Sequence, residues 1–164
     1  MKLAILGAGA WGTALALAFA PRHRLALWTF EAEHAAAMRA AGENVRFLPG
    51  HALPAGIPIE SDIAAALDGA ELAIVATPVA GLRTTLRRLN EIAPGKPLIW
   101  VCKGLEAGTG KLPHAIAAEE LGPDARYGVL SGPSFAEEVA RHLPSAVTLA
   151  ANDADFARQT ALAL

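Results

Sequence analysis

Short, fully apolar runs alternate with helix-length segments along the chain. Lys2–Leu6 and Leu25–Trp28 are bounded by turn-forming residues, and the segment between them, Ala10–Ala20, has helix length and is closed by Pro21. The pattern predicts strand, helix, strand. It recurs at Leu72–Ala76, Leu98–Cys102 and Tyr127–Leu130, each followed by a loop and a helix-compatible stretch. A strand that is apolar along its whole length is buried on both faces, so the alternation predicts a doubly wound α/β domain with a mainly parallel sheet. Gly42–Pro58 breaks the rhythm with four glycines or prolines in its second half. Structureless loops beyond about 12 residues are uncommon in compact domains, and this stretch reads as a long functional loop. Ser61-Asp62 then caps a short helix at Ile63–Leu67.

Composition narrows the class. At 164 residues the chain suits one domain, here spanning 1–164. The 53% hydrophobic content comes largely from 38 alanines, and no apolar run reaches the roughly 18 residues of a membrane span. Met1–Leu6 leads directly into a glycine turn, with no cleavage signal. A single cysteine, Cys102, allows no internal disulfide and no all-cysteine metal site, so the expectation is a cytoplasmic protein without a metal. Cys102 itself is expected to be inert core. A net charge of −2 with interspersed signs leaves no electrostatic footprint for nucleic acid. The chain ends at Leu164 in an alanine- and leucine-rich helical segment without a cap, which reads as a boundary inside a longer protein.

Candidate chemistry begins at the first turn. Gly7-Ala8-Gly9-Ala10-Trp11-Gly12 fits G-x-G-x-x-G between a buried strand and a helix, the setting of a Rossmann-type dinucleotide fold binding NAD or NADP. Gly7 permits the tight turn, Gly9 admits the pyrophosphate to the backbone, and Gly12 allows close packing of helix on strand. The helix amino terminus offers free N–H groups to the phosphates. A second cluster, Gly104–Lys111, imitates a triphosphate loop but has Leu105 where the first glycine is needed and Leu112 where serine or threonine should follow the lysine. At the end of the second strand Glu31 has two readings, an acid for the ribose hydroxyls or a helix-start carboxylate. Phe30 likewise either stacks on adenine or staples the helix.

Lys103 follows an apolar strand and precedes Gly104, which sets it at the carboxyl edge of the sheet, where open parallel sheets bind ligands. A solvated loop lysine is the alternative. Ser131–Glu138 begins another helix, either as an anion-binding terminus or as a turn capped by Ser134 with Glu137.

Four segments, residues 7–16, Asn44 with Phe47-Leu48-Pro49-Gly50, Lys103–Glu106 and Leu130–Ala140, occur in the order found in the bacterial NAD(P)-dependent glycerol-3-phosphate dehydrogenases, which the chain resembles in their amino-terminal domain. The resemblance implies interconversion of dihydroxyacetone phosphate and sn-glycerol 3-phosphate, for glycerophospholipid synthesis. It places Ala10, Trp11 and Ala136 beside the cofactor, Lys103 at both cofactor and substrate, and Gly132 and Ser134 at the substrate. It also allows a homodimer of the full-length protein. Phe30 departs from the family, which often has arginine or histidine there, and NADP preference is accordingly expected to be reduced. The family is about twice this length, and its carboxyl-terminal helical substrate domain carries a second lysine for proton transfer. Two other readings stand beside this one. A related two-domain hydroxy-acid or sugar-nucleotide dehydrogenase would lack the Ser131–Phe135 motif, and a stand-alone dinucleotide sensor would have no need of Lys103.

Overall fold

A computed structural model describes residues 1–164. The chain runs β1 (Lys2–Leu6), α1 (Ala10–Phe19), β2 (Arg24–Trp28), α2 (Ala32–Ala41), β3 (Glu43–Asn44), β4 (Leu48–Ala52), β5 (Ile59–Glu60) and α3 (Ile63–Leu67). It continues through β6 (Leu72–Val75), α4 (Val79–Ile92), β7 (Leu98–Trp100), α5 (Pro113–Leu121), β8 (Tyr127–Ser131), α6 (Ala136–Ala140), β9 (Thr148–Ala151) and α7 (Ala154–Ala163). Seven strands form one sheet in the order β5-β2-β1-β6-β7-β8-β9. Every pairing is parallel except β8 with β9. The first six strands thus have the doubly wound dinucleotide-fold order, with its reversal between β1 and β6. The predicted fold class holds. The antiparallel edge strand β9 is an addition that the apolar pattern did not announce.

Alternation along the buried strands divides the core between the two faces of the sheet. Ala4 and Leu6 of β1 pack with Trp28, Ile63, Val75, Leu82, Leu86 and Trp100 under α3, α4 and α5. Leu3 and Ile5 face the other way, toward Leu15, Leu27, Met38, Ile74 and Phe156 under α1, α2 and α7. Helix α4 shows why its face is chosen: Leu82, Thr85, Leu86 and Leu89 recur at helical spacing and are its buried residues. Helix α1 is buried from Gly12 through Leu17, because α6 and β4 cover its outer side through Ala14, Leu17, Leu48 and Ala140. No helix is long and apolar enough to cross a membrane.

The reading of Gly42–Pro58 as one long loop is corrected. Its first part is a hairpin of β3 and β4 with an irregularity at Glu43/Asn44. Asn44 is fully buried, and its Nδ2 donates to the Ala8 carbonyl at 2.9 Å and to Thr13 Oγ1 at 2.7 Å. Its Oδ1 accepts from the Phe47 amide at 3.2 Å. One amide side chain therefore satisfies both segments and locks the hairpin onto the glycine turn. The helix start at Ser134 is also corrected by one residue. Phe135 is the N-cap of α6, and its amide donates to Glu138 Oε2 at 3.4 Å, so Ser134 and Glu137 form no capping box.

Candidate functional site

The site begins where β1 and β6 part. Gly7 has φ +127°, and a side chain there would lie 2.7 Å from the Ala76 carbonyl carbon and 2.9 Å from the Thr77 amide. A side chain on Gly12 would fall 1.8 Å from the Gly7 carbonyl oxygen. These two glycines let the turn, the helix and the neighbouring strand close on one another. Gly9 behaves differently: its backbone is extended and a Cβ would meet nothing within 4 Å. The open side of Gly9 and the first-turn amides of α1, which have no intrahelical acceptors, face the same cleft.

That cleft has a volume of about 670 Å³, within the range of cofactor sites. It is lined by Gly7, Gly9, Ala10 and Trp11, by Phe30, Glu31 and Phe47, and by Lys103, Gly132 and Ser134. The sheet order sets the segment after β2 and those after β7 and β8 on opposite sides of the glycine turn. All of these lining residues except Phe47 are among those expected from sequence. Gly12 supports the turn from beneath. Ala136, also expected beside the cofactor, lies at the start of α6, outside the cleft wall, packed beside Ala14, Leu17, Leu48 and Ala140. The bend from Ser131 to Phe135 carries it there.

The two readings of Glu31 and Phe30 separate. Glu31 is the N-cap residue of α2 but its side chain makes no capping bond; Oε2 instead pairs with Arg46 Nη1 at 2.7 Å. Phe30 is 73% exposed and lines the cleft, so it does not staple the helix. Phe47 also lines the cleft, touching His34 edge to face at 5.3 Å between ring centres. The signal for Phe47 was present in the sequence as part of the Asn44–Gly50 segment. What was not readable is that Asn44 anchors that segment to Ala8.

At the other end Lys103 Nζ donates to the Gly132 carbonyl at 3.1 Å, joining the loop after β7 to the turn after β8. Gly132 must be glycine for that turn to pass, since a Cβ would lie 2.5 Å from the Ala146 carbonyl oxygen. Cys102 also borders the cleft, partly buried and packed against the core. Burial pushes its thiol up to about 11, which keeps it protonated and unreactive near neutrality. The Gly104–Lys111 loop closes on itself through Glu106 and Lys111, with the Glu106 amide donating to the Lys111 carbonyl at 2.9 Å, and forms no phosphate cradle.

A dinucleotide fits this donor set. The hydroxyls of Thr77 and Ser134 are shielded from solvent without a hydrogen-bond partner in the chain, and both residues line the cleft. Buried polar atoms are rarely left so unless a ligand or water completes them. With Gly9 open and the helix start exposed to the same space, phosphates and hydroxyls are the groups that would do it.

Comparison with known proteins agrees with this geometry. The family described as NAD-dependent glycerol-3-phosphate dehydrogenase N-terminus matches residues 2–157. An NAD(P)+ glycerol-3-phosphate dehydrogenase of Aromatoleum aromaticum is 58% identical over 164 residues, all of this chain and 50% of the relative. One from Dechloromonas aromatica is 55% identical over 161 residues, 98% of this chain and 49% of the relative. The crystal structure of the Coxiella burnetii glycerol-3-phosphate dehydrogenase superposes with a TM-score of 0.92 at 38% identity, covering 99% of this chain and 50% of that one. The chain spans about half the length of the curated relatives it matches. On the strength of a match that runs from residue 2 to residue 157, this chain belongs to the family of NAD-dependent glycerol-3-phosphate dehydrogenase amino-terminal domains.

Proposed function

We propose that residues 1–164 are the dinucleotide-binding domain of a two-domain oxidoreductase that interconverts dihydroxyacetone phosphate and sn-glycerol 3-phosphate with NAD(H) or NADP(H). The reaction supplies glycerophospholipid synthesis in the cytoplasm. The observation that carries this reading is the position of Lys103, held on the Gly132 carbonyl at the end of the cleft remote from Phe30 and Glu31. A bound nicotinamide supplies or accepts the hydride. The chain's own residues do the rest on this side of the site. Gly7, Gly9, Ala10, Trp11 and Gly12 form the turn and helix start that take the pyrophosphate, with Phe30 and Glu31 at the adenosine. Lys103 places an ammonium where negative charge develops on the substrate's carbonyl oxygen, and the same charge suits the substrate phosphate. Gly132 fixes the lysine, and Ser134, whose hydroxyl has no partner within the chain, lines the same cleft on the substrate side.

The second wall of the substrate site and a second proton-handling lysine belong, in this reading, to a carboxyl-terminal domain. Orientation of the reactants can account for about 7–11 kcal/mol of barrier lowering, and residues 1–164 supply only one wall of the site that provides it. The test compares NADH oxidation by dihydroxyacetone phosphate in the 164-residue chain, the full-length protein and full-length Lys103→Met. The short chain is expected to bind NADH without turnover, and the variant to lose about 10²–10⁴ in kcat/KM. A Lys103→Met enzyme within threefold of wild type would return Lys103 to a solvated loop.

A further inference from the structure

The adenosine end of the cleft holds an ion pair in which Arg46, the partner of Glu31, has no role in the proposed reaction. Arg46 Nη1 lies 2.7 Å from Glu31 Oε2, and the guanidinium carbon sits 4.7 Å from the centre of the Phe47 ring. Both partners, Glu31 and Phe47, line the cleft. The Arg46 side chain is 56% exposed, so it stands at the rim with most of its donors in solvent. Its backbone is nonetheless placed firmly, because Asn44 binds the Ala8 carbonyl with one end and the Phe47 amide with the other. The turn that carries Arg46 is thereby tied to the turn expected to carry the pyrophosphate.

Resting on the dinucleotide reading of the cleft, we infer that Arg46 and Glu31 form an exchangeable pair that reads the 2′ position of the adenosine ribose. With a 2′-hydroxyl, Glu31 accepts its hydrogen bond and Arg46 neutralises the carboxylate. With a 2′-phosphate, Arg46 releases Glu31 and takes the dianion with its planar fork of donors. The residue after β2 that would ordinarily be asked for such a charge is Phe30, which has none to offer. Arg22 is not a substitute. It precedes β2, whose opposite end meets the cleft, and its guanidinium is engaged by the Leu164 carbonyl.

The charge count sets the outcome. Arg46 offsets part of the phosphate's charge while Glu31 still repels it, so neither cofactor gains a large advantage in the native chain. Removing Arg46 leaves only the repulsion, and removing the Glu31 charge leaves only the attraction. The pair is exposed, so its effect on the phosphorylated cofactor should weaken with salt.

The test is calorimetric titration of NADH and NADPH into the wild-type chain, Arg46→Ala and Glu31→Gln. Wild type is expected to bind the two within about tenfold of each other, and Arg46→Ala to weaken NADPH by about tenfold or more while changing NADH by less than about threefold. Glu31→Gln is expected to strengthen NADPH and weaken NADH. Equal losses for both cofactors in Arg46→Ala would reduce Arg46 to a brace for the hairpin and overturn the inference. Unchanged NADPH affinity in that variant would overturn it too. Failure of the wild-type chain to bind either cofactor would instead remove the dinucleotide reading on which the pair depends.

Discussion

Arg83 and Glu106 meet fork to fork across 23 residues of sequence, with Nε to Oε1 at 2.7 Å and Nη2 to Oε2 at 2.8 Å. Arg83 also reaches Glu120 at 2.6 Å and Glu119 at 2.9 Å, and Thr109 Oγ1 donates to Glu106 at 2.6 Å. The arrangement ties the loop after β7 to both α4 and α5. Glu106 lies on the same short loop as Lys103, so the clamp that holds one also restricts the other.

The clamp should be visible in the acid limb of stability. Hydrogen bonds from Arg83 and Thr109 hold the Glu106 carboxyl down at about 2, from an ordinary 4.5. A group depressed in the folded state stabilises fully above its unfolded pKa and loses that contribution as pH falls through the folded one. Arg83→Met is therefore expected to be less stable than wild type at pH 7, with the gap narrowing between pH 4.5 and 2. Urea midpoints at pH 7, 4 and 2.5 measure it. A gap independent of pH would mean that Arg83 contributes through packing alone.

Gly9 and Gly12 should fail in opposite ways. A side chain at Gly9 meets nothing in the protein and would stand in the cleft, so Gly9→Val should melt near wild type and lose NADH binding. A side chain at Gly12 collides with the Gly7 carbonyl at 1.8 Å, so even Gly12→Ala should unfold or shift the turn, costing on the order of 1–3 kcal/mol or more. Thermal melts beside calorimetric titration separate the two. A stable Gly12→Ala that binds normally would show that the turn has room it does not display.

Cys102 offers a chemical probe of the cleft wall. With the thiol raised to about 11 by burial, its alkylation by iodoacetamide should be slow at pH 7–8 and accelerate only toward strongly alkaline conditions. NADH should slow it further, because Cys102 borders the cleft. Rapid alkylation at neutral pH, indifferent to NADH, would contradict both its burial and its place beside the ligand.

What was legible in the sequence follows the range of the interactions involved. The segment β1–α1–β2 could be read because its signals are local: a buried strand, a glycine turn and a proline stop within Lys2–Trp28. The β3–β4 hairpin could not. Its first strand is two residues long, too short for any period, and it is secured by Asn44 bonding to Ala8, 36 residues earlier. Glu31 remained ambiguous for the same reason, because the partner that draws it away from helix capping is Arg46, 15 residues on. Strand β9 alternates half-buried and exposed residues at the sheet edge, so it lacks the continuous apolar run that marked the others. At the candidate site, Lys103 and Gly132 were each readable as turn residues, but their bond spans 29 positions and emerges only once β7 and β8 are paired.

The glycine turn and Lys103 border one cleft, and a dinucleotide bound there should engage both. Titrating NADH into the 15N-labelled chain and following backbone amide shifts tests this most directly. Saturable binding is predicted to move Gly9, Ala10, Trp11, Phe30, Glu31, Lys103 and Gly132 together, while amides of α5 and α7 stay in place. Undetectable binding, or shifts that leave residues 7–12 and Lys103 unmoved, would contradict the account.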